Sequence, residues 1–598
     1  MFLRMIKRRH PNDDNEAGIA LVMVVAISAV LTLLVSAAFI YALGNIKKAT
    51  SDNQWNSALA AAYAGIEEYQ SRLAEEPTYL KFGNPASTFS VGSAVSLPPD
   101  TNKAFGLGAT GTWAGIAGSE QLDSNGNVAS PRVYQAEYRY EIDNSDYINT
   151  GVLKIRSTGR AGGQTRSIVA DLRQQGFVDF LYFTDYEMQD PVVSGKNAAT
   201  CVKYAWAGRP SSTSSNTCGE IGFGSADVIA GPAHSNDTLR VCDATFKGPV
   251  TTAYNPATGV KYTPRDSNGS TCNGQVFELA GYPAYSPVVA MPSTNAQIKR
   301  ETRSDLTGTD VPRPGCLFTG PTQITLNSNG SVTVRSPWTK ATRVSGDPAT
   351  SGTAPAECGS IADLKTTGGA TFTPPANNVL YIQNVPAVSG DPNYWSASDQ
   401  PNTNSCKGAP DGNFASTPAG NGLGYPLQGE VAATDSYKCR NGDLFLKGDL
   451  DGSMTIAAEN YVYVIGDVKY KDSSDDILGI IGNNAVWIWN PVNSSGNSLI
   501  GGSNRRVDSA ILSVAHSFMV QNYTTGGARG ILTVNGAIAQ KFRGTVRNGA
   551  NGYTKNYVYD PRLRYTAPPK FLSPVSTTYG VNVWVEVSPV FKASGAAS

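Results

Sequence analysis

Residue types able to do chemistry are sparse and scattered through this 598-residue chain. The eight cysteines (Cys201, Cys218, Cys242, Cys272, Cys316, Cys358, Cys406 and Cys439) all lie far beyond the N-terminal apolar run. An even number outside a membrane reads as disulfides. Many complete pairings are open, and sequential pairing closes modest loops, with Cys201–Cys218 the favoured local bridge. A zinc cluster is the rival, but there is no Cys-x-x-Cys spacing and the only histidines are His10, His234 and His516. Asp123-Ser124-Asn125-Gly126-Asn127 and Asp266-Ser267-Asn268-Gly269-Ser270 have the look of calcium loops, yet Tyr134 and Phe277 stand where an EF-hand needs glutamate. They read as polar turns. Asp449, Asp451 and Asp467 are the acids that a glycan-cleaving groove would use, and aspartates equally cap turns. Trp487 and Trp489 alternate with Val486 and Ile488, so both indoles share one face, with core favoured over an outward pair that stacks on sugars. No catalytic, cofactor or metal residue is predicted, and the expectation is a non-enzyme.

The sharpest chemical feature is a boundary. Asp13-Asp14-Asn15-Glu16-Ala17-Gly18 gives way at once to Ile19-Ala20-Leu21-Val22, and the 28 residues Ile19 to Ile46 contain no Asp, Glu, Lys or Arg. As a helix that length crosses a hydrocarbon core of about 30 Å with some tilt. The basic cluster Arg4, Lys7, Arg8 and Arg9 marks the cytoplasmic side, which places the remainder outside the cell. A protease at the cytoplasmic face could cut after Gly18 and leave the apolar helix attached; an uncleaved single-pass anchor is the simpler alternative.

The element that positions this boundary continues past the membrane. Trp55, Leu59, Ala62, Ile66, Tyr69 and Leu73 recur at spacings of three or four. Ala58, Ala60, Ala61, Ala62 and Ala64 favour helix and keep one side slim for close packing. The spacing predicts one helix from Ile19 to about Leu73, roughly 80 Å long, with a bend at Gly44-Asn45 and a stop at Pro77. Its outer half is expected to bury Trp55, Leu59 and Ile66 against an extracellular domain.

Gly18, the run Ile19-Ala20-Leu21-Val22, and Ala58-Leu59-Ala60-Ala61-Ala62-Tyr63-Ala64-Gly65-Ile66-Glu67 together resemble the N-terminus of type IV pilin-like proteins, specifically PilX-like minor pilins. The resemblance implies a class III signal, cleavage by a prepilin peptidase after Gly18, and N-methylation of Ile19. It also implies that the helix moves from the membrane into a filament of other pilin-like subunits. Major pilins usually carry Glu at mature position five, where this chain has Met23. That departure fits a tip, initiating or low-copy component better than the repeating subunit.

Composition agrees with an exported structural protein. Cationic and anionic side chains both number 48, and removal of positions 1–18 leaves 44 against 45, a formal charge of −1. No basic field is available to hold nucleic acid by counterion release. With 61 Gly and 35 Pro, short strands and turns are favoured over further helices. Strand patterns at 132–140, 151–159 and 166–172 form an antiparallel-looking unit that also resembles the region after the helix in PilX-like proteins. Further on, 443–450, 453–458, 461–468, 478–481, 485–489, 510–514 and 530–539 read as short strands between Gly/Asn/Asp turns. These fit a parallel β-helix, with a β-sandwich as the alternative. The string 456–467 also resembles β-helical domains on some surface pilin-like proteins.

The expected fold is therefore mainly β, with a long N-terminal helix. The expected segments are a leader (1–18), the membrane and filament-core helix (19–76), a helix-packing β unit (80–191), a loop-rich disulfide region (192–430) and a β-helix-like domain (431–598). The expected function is a minor pilin-like component, sparse or at the filament tip, displaying an extracellular domain for assembly or adhesion to a surface glycan or protein receptor. A membrane-anchored surface binding protein and a pseudopilin of a type II-like secretion system are the alternatives.

Overall fold

The computed structural model describes residues 14–99, 102–147, 152–174, 176–210, 217–225, 227–266, 269–308, 311–396, 421–432, 436–502, 504–564, 566–574 and 579–598. The chain is mainly β, with one long helix and a large multi-stranded β region. It divides into a helix unit (Met1–Asp143, Lys154–Asp171 and Val583–Ser598) and a ladder unit (Asn144–Leu153 and Leu172–Asn582).

The helix, α1, runs from Asp14 to Glu75 without interruption at Gly44-Asn45. Pro77, which has no N–H to offer the helix, begins a short 3-10 turn just beyond it. Ala136–Asp143 pairs antiparallel with Val152–Ala161, setting Tyr138 opposite Gly159 and Tyr140 opposite Ser157. The sheet order continues through Gln164–Gln174 to Tyr579–Val587, so the last strand of the chain lies beside one that precedes it by some 400 residues.

In the ladder unit, a long parallel ladder joins Cys316–Thr319, Asn378–Gln383, Ser453–Ala458, Ile477–Gly482, Arg505–Ser513 and Ala528–Phe542. It then continues into strands much earlier in the chain: Tyr182–Tyr186, Ala233–Ser235, Val250–Thr252 and Ala284–Tyr285. A second parallel ladder stacks Thr322–Leu326, Leu444–Leu450, Tyr461–Tyr470, Ala485–Ile488 and Met519–Val520. A third links Ala528–Phe542, Asn551–Tyr559, Val228–Ala230, Thr245–Phe246 and Val276–Phe277. Strands on both sides of the expected boundary at 430/431 thus pair directly with one another.

Register explains the composition. Leu380, Ile456, Ile480, Ile511, Ile538 and Tyr182 form one buried column, and Tyr381, Ala457, Ile481, Leu512, Ala539 and Phe183 form its neighbour on the opposite side of the strands. Both sides of this ladder are covered, so its strands read as continuous apolar runs and not as alternating ones. The covering on the second column is the segment that carries the chain from Tyr285 to Cys316, which lays Val289 and Ile298 onto it. Asn236 exchanges two hydrogen bonds with the Val289 backbone (2.7 and 2.8 Å). Asn295 donates to the Ala458 carbonyl (2.8 Å) and accepts from the Tyr381 hydroxyl (3.0 Å).

Where the strand 528–542 passes from the third ladder to the long one, Gly536 sits against the neighbouring backbone. A methyl group there would stand 1.9 Å from the Ser509 carbonyl oxygen. Disulfides join Cys201–Cys218, Cys242–Cys272 and Cys316–Cys358. Cys439 is also disulfide-bonded, and Cys406 lies outside the described residues.

Candidate functional site

The candidate site is α1 itself, which behaves as two helices of opposite character. From Leu21 to Asn53 every residue is exposed, including Leu21, Met23, Val24, Ile27, Leu34, Phe39 and Ile40. Threonine and serine hydroxyls within this stretch bond back to their own helix: Thr32 donates to the Ser28 carbonyl and Ser36 to the Thr32 carbonyl, both at 2.7 Å. A helix that meets its own polar needs and shows apolar side chains all round is suited to lipid or to other apolar helices, not to water.

The other half is docked. Ala58, Ala61, Ala62, Ile66, Tyr69 and Leu73 are fully buried. The small residues let the helix backbone come close to the sheet, and the sheet reciprocates with Gly159. A methyl group on Gly159 would lie 2.1 Å from the Ala58 carbonyl oxygen and 2.4 Å from the Ala62 nitrogen. Gly65 is equally pressed, its missing side chain replaced by Ser157 Oγ and the Tyr138 ring. Beyond it, Tyr69 packs on Tyr140 at 5.2 Å between ring centroids, and Phe105 on Tyr140 at 4.9 Å.

Of the assembly-helix residues singled out from sequence, Ile66 is buried and Leu59 half-buried, while Trp55 is 44% exposed. Trp55 is a correction to the expected packing. It lies one turn short of the docked stretch and is covered on one ring face by the Arg166 guanidinium (4.7 Å), which pairs with Glu586. Met23 is exposed within the apolar half. Gly18 and Ile19 lie inside the continuous helix, which starts at Asp14.

Other candidates resolve into packing or surface pairs. Trp489 is buried and Trp487 half-buried, in an aromatic cluster with Tyr425, Tyr437, Phe445 and Tyr463. Their neighbours Val486 and Ile488 point into the main core, so the indoles share one face as expected; that face is turned away from the main core and packs in a second cluster with Leu423, Tyr425 and Tyr437. Asp449 pairs with Lys469, Asp451 with Lys471 and Asp467 with Arg505 at the surface. Asp123 accepts from the backbone N–H groups of Asn125 and Asn127, and Asp266 from that of Ser270.

Sequence reading missed a buried charge network in the ladder unit. His234-Ser235-Asn236-Asp237 is polar throughout yet wholly buried. Arg209 bridges Asp237 and Glu220, Arg240 also pairs with Glu220, and Arg543 pairs with Glu187 at 3.1 Å. Asp237 further accepts from the Ala205 backbone N–H (2.7 Å), pinning the loop closed by Cys201–Cys218. Burial raises the Glu187 and Asp237 carboxyls, opposed by Arg543 and Arg209 respectively, and burial lowers His234 to about 4. Arg543 lies 356 residues from Glu187, and Arg209, Glu220, Asp237 and Arg240 follow no periodic spacing, so nothing local signalled the network; the polar run His234-Ser235-Asn236-Asp237-Thr238 was the available hint.

No protein-family model matches the chain, and no curated protein matches it. Among solved structures the chain is similar to the competence-associated pilin ComZ from Thermus thermophilus, at 11% identity and a TM-score of 0.23, over 89% of this chain and 97% of that one.

Proposed function

We propose that this chain is a minor pilin-like structural component of a type IV pilus. In this reading a prepilin peptidase removes residues up to Gly18, Ile19 becomes the methylated N-terminus, and Ile19–Ile46 moves from the membrane into a filament core. The observation that carries it is the division of α1: apolar and exposed on all sides from Leu21 to Ile46, and docked through Ala58, Ala61 and Ala62 onto a sheet. Lipid contact exchanged for contact with other apolar helices leaves that surface out of water throughout. The parallel ladders are read as coils of a β-helix, displayed outside the cell for assembly or adhesion. A domain of this size crowds a regular lattice, which favours a sparse or tip position.

The exposed apolar half of α1 equally suits a second reading, a membrane-anchored surface protein or the pseudopilin of a secretion system, while Met23 in place of a carboxylate fits a sparse or tip subunit. Intact mass spectrometry of membrane-extracted protein tests the maturation step. A chain beginning at Ile19 with one added methyl group supports processing; one that retains Arg4–Arg9 overturns it. Detergent-free sheared filaments then separate the readings, since a filament component co-purifies with pilin subunits and a surface anchor stays with the cells.

A further inference from the structure

The helix unit encloses a cleft of about 370 Å³ beside the last turns of α1, a size that suits a small ligand. Glu68 and Arg72 of the helix, Lys103, Arg132, Tyr134 and Glu137 contribute to its walls. Both carboxylates are already committed. Glu68 is bound by Arg72 and accepts from the Tyr140 hydroxyl at 2.8 Å, and Glu137 is held by Arg160 at 2.6 Å. Lys103 and Arg132, in contrast, are exposed and have no side-chain partner among the described residues. The cleft therefore offers two free cations and no free anion.

Its apolar part is aromatic and fixed. The Tyr134 ring lies so close over Gly115 that a methyl group there would stand 2.1 Å from it. Trp113 is held by the Arg139 and Arg160 guanidiniums at 4.1 and 4.3 Å from its ring centroid. Tyr138 completes the lining, and burial raises its phenol to about 12. Flat rings beside unpaired cations suit a molecule that has both a ring face and a carboxylate.

We propose that this cleft binds an acidic sugar, a pyranose bearing a carboxylate, with the sugar face on Tyr134 and the carboxylate on Lys103 and Arg132. The site lies apart from the exposed apolar helix surface, so its failure would leave the filament reading intact. The test is calorimetry on the full chain in detergent with glucuronate, glucose and inorganic phosphate as probes. Glucuronate is expected to bind, with glucose about tenfold weaker or worse, because a charge-assisted contact is worth at least that factor. Arg132→Gln and Lys103→Gln should each weaken glucuronate about tenfold with an unchanged melting temperature, and Tyr134→Ala should weaken both sugars. Phosphate that binds as well as glucuronate would reduce the cleft to a general anion site and overturn the proposal. So would glucuronate affinity that survives the Arg132→Gln, Lys103→Gln double variant, or the absence of any glucuronate heat.

Discussion

Single atoms decide two properties of this chain. At Gly159 the helix and sheet backbones are so close that an alanine methyl has no room. Gly159→Ala should destabilise the helix unit by about 1–3 kcal/mol through forced separation of helix and sheet, read as a lower melting temperature; an unchanged melting curve would show that the contact is looser than described. Asp443 is fully buried beside Asn460 and Tyr461, and burial raises its carboxyl from 3.8 to about 7. The folded chain therefore holds a proton that the unfolded chain gives up at lower pH. This group contributes most to stability below about pH 4, and the contribution is lost as pH rises to 7. Asp443→Asn has no proton to lose and should gain up to roughly 4 kcal/mol over the parent at neutral pH, with little difference at pH 4. Parallel pH series of denaturant melts would show it, and curves that do not converge on the acid side would count against the assignment.

Among the elements, the segment from Val289 to Ile298 is the most exposed to challenge, because it has no ladder of its own and is held by asparagines. Asn295→Ala leaves the buried Tyr381 hydroxyl without its acceptor and takes one of two donors from the Ala458 carbonyl, which keeps the Asn483 N–H at 2.9 Å. A loss of about 2–3 kcal/mol is expected, with earlier proteolytic cleavage within 286–302; cleavage at the parent rate would show that packing alone retains the segment. This element also marks the limit of sequence reading. The seven strand patterns from 443 to 539 were legible because apolar runs between Gly/Asn/Asp turns are a local signal, and each falls on an observed strand. The slim Ala face of α1 was legible for the same reason. Trp55 was not, because a helical stripe does not say where the partner sheet ends. The buried Asp237–Arg209–Glu220 network was also silent, because its members come from irregular segments outside the strands, where no periodic pattern marks a buried charge.

For the whole molecule, the order of strands matters more than their content. Ile538 pairs with Tyr182, so the last strand of the long ladder in sequence seats against its first. Such distant pairing is slow to form and leaves unpaired edges until late in synthesis. A chain ended after Gly527 should leave Tyr182–Tyr186 and Arg505–Ser513 without the strand that lies between them. It is expected to be protease-sensitive on both sides and prone to aggregate. If that truncated chain gave the same resistant fragments as the parent, the two parts of the ladder would be independently stable.

The neighbouring placement of Gln164–Gln174 and Tyr579–Val587 in one sheet has a consequence for how such a protein can change over generations. The main segment of the ladder unit, Leu172–Asn582, is an excursion that departs from one strand and comes back on the next. Duplication or deletion of a whole turn of stacked strands, for instance between Gly482 and Arg505, would alter the ladder unit while the points of departure and return stay put. The helix unit would then be free of any selective cost from that variation. Lineages can remodel the stacked strands without disturbing the sheet they leave and rejoin.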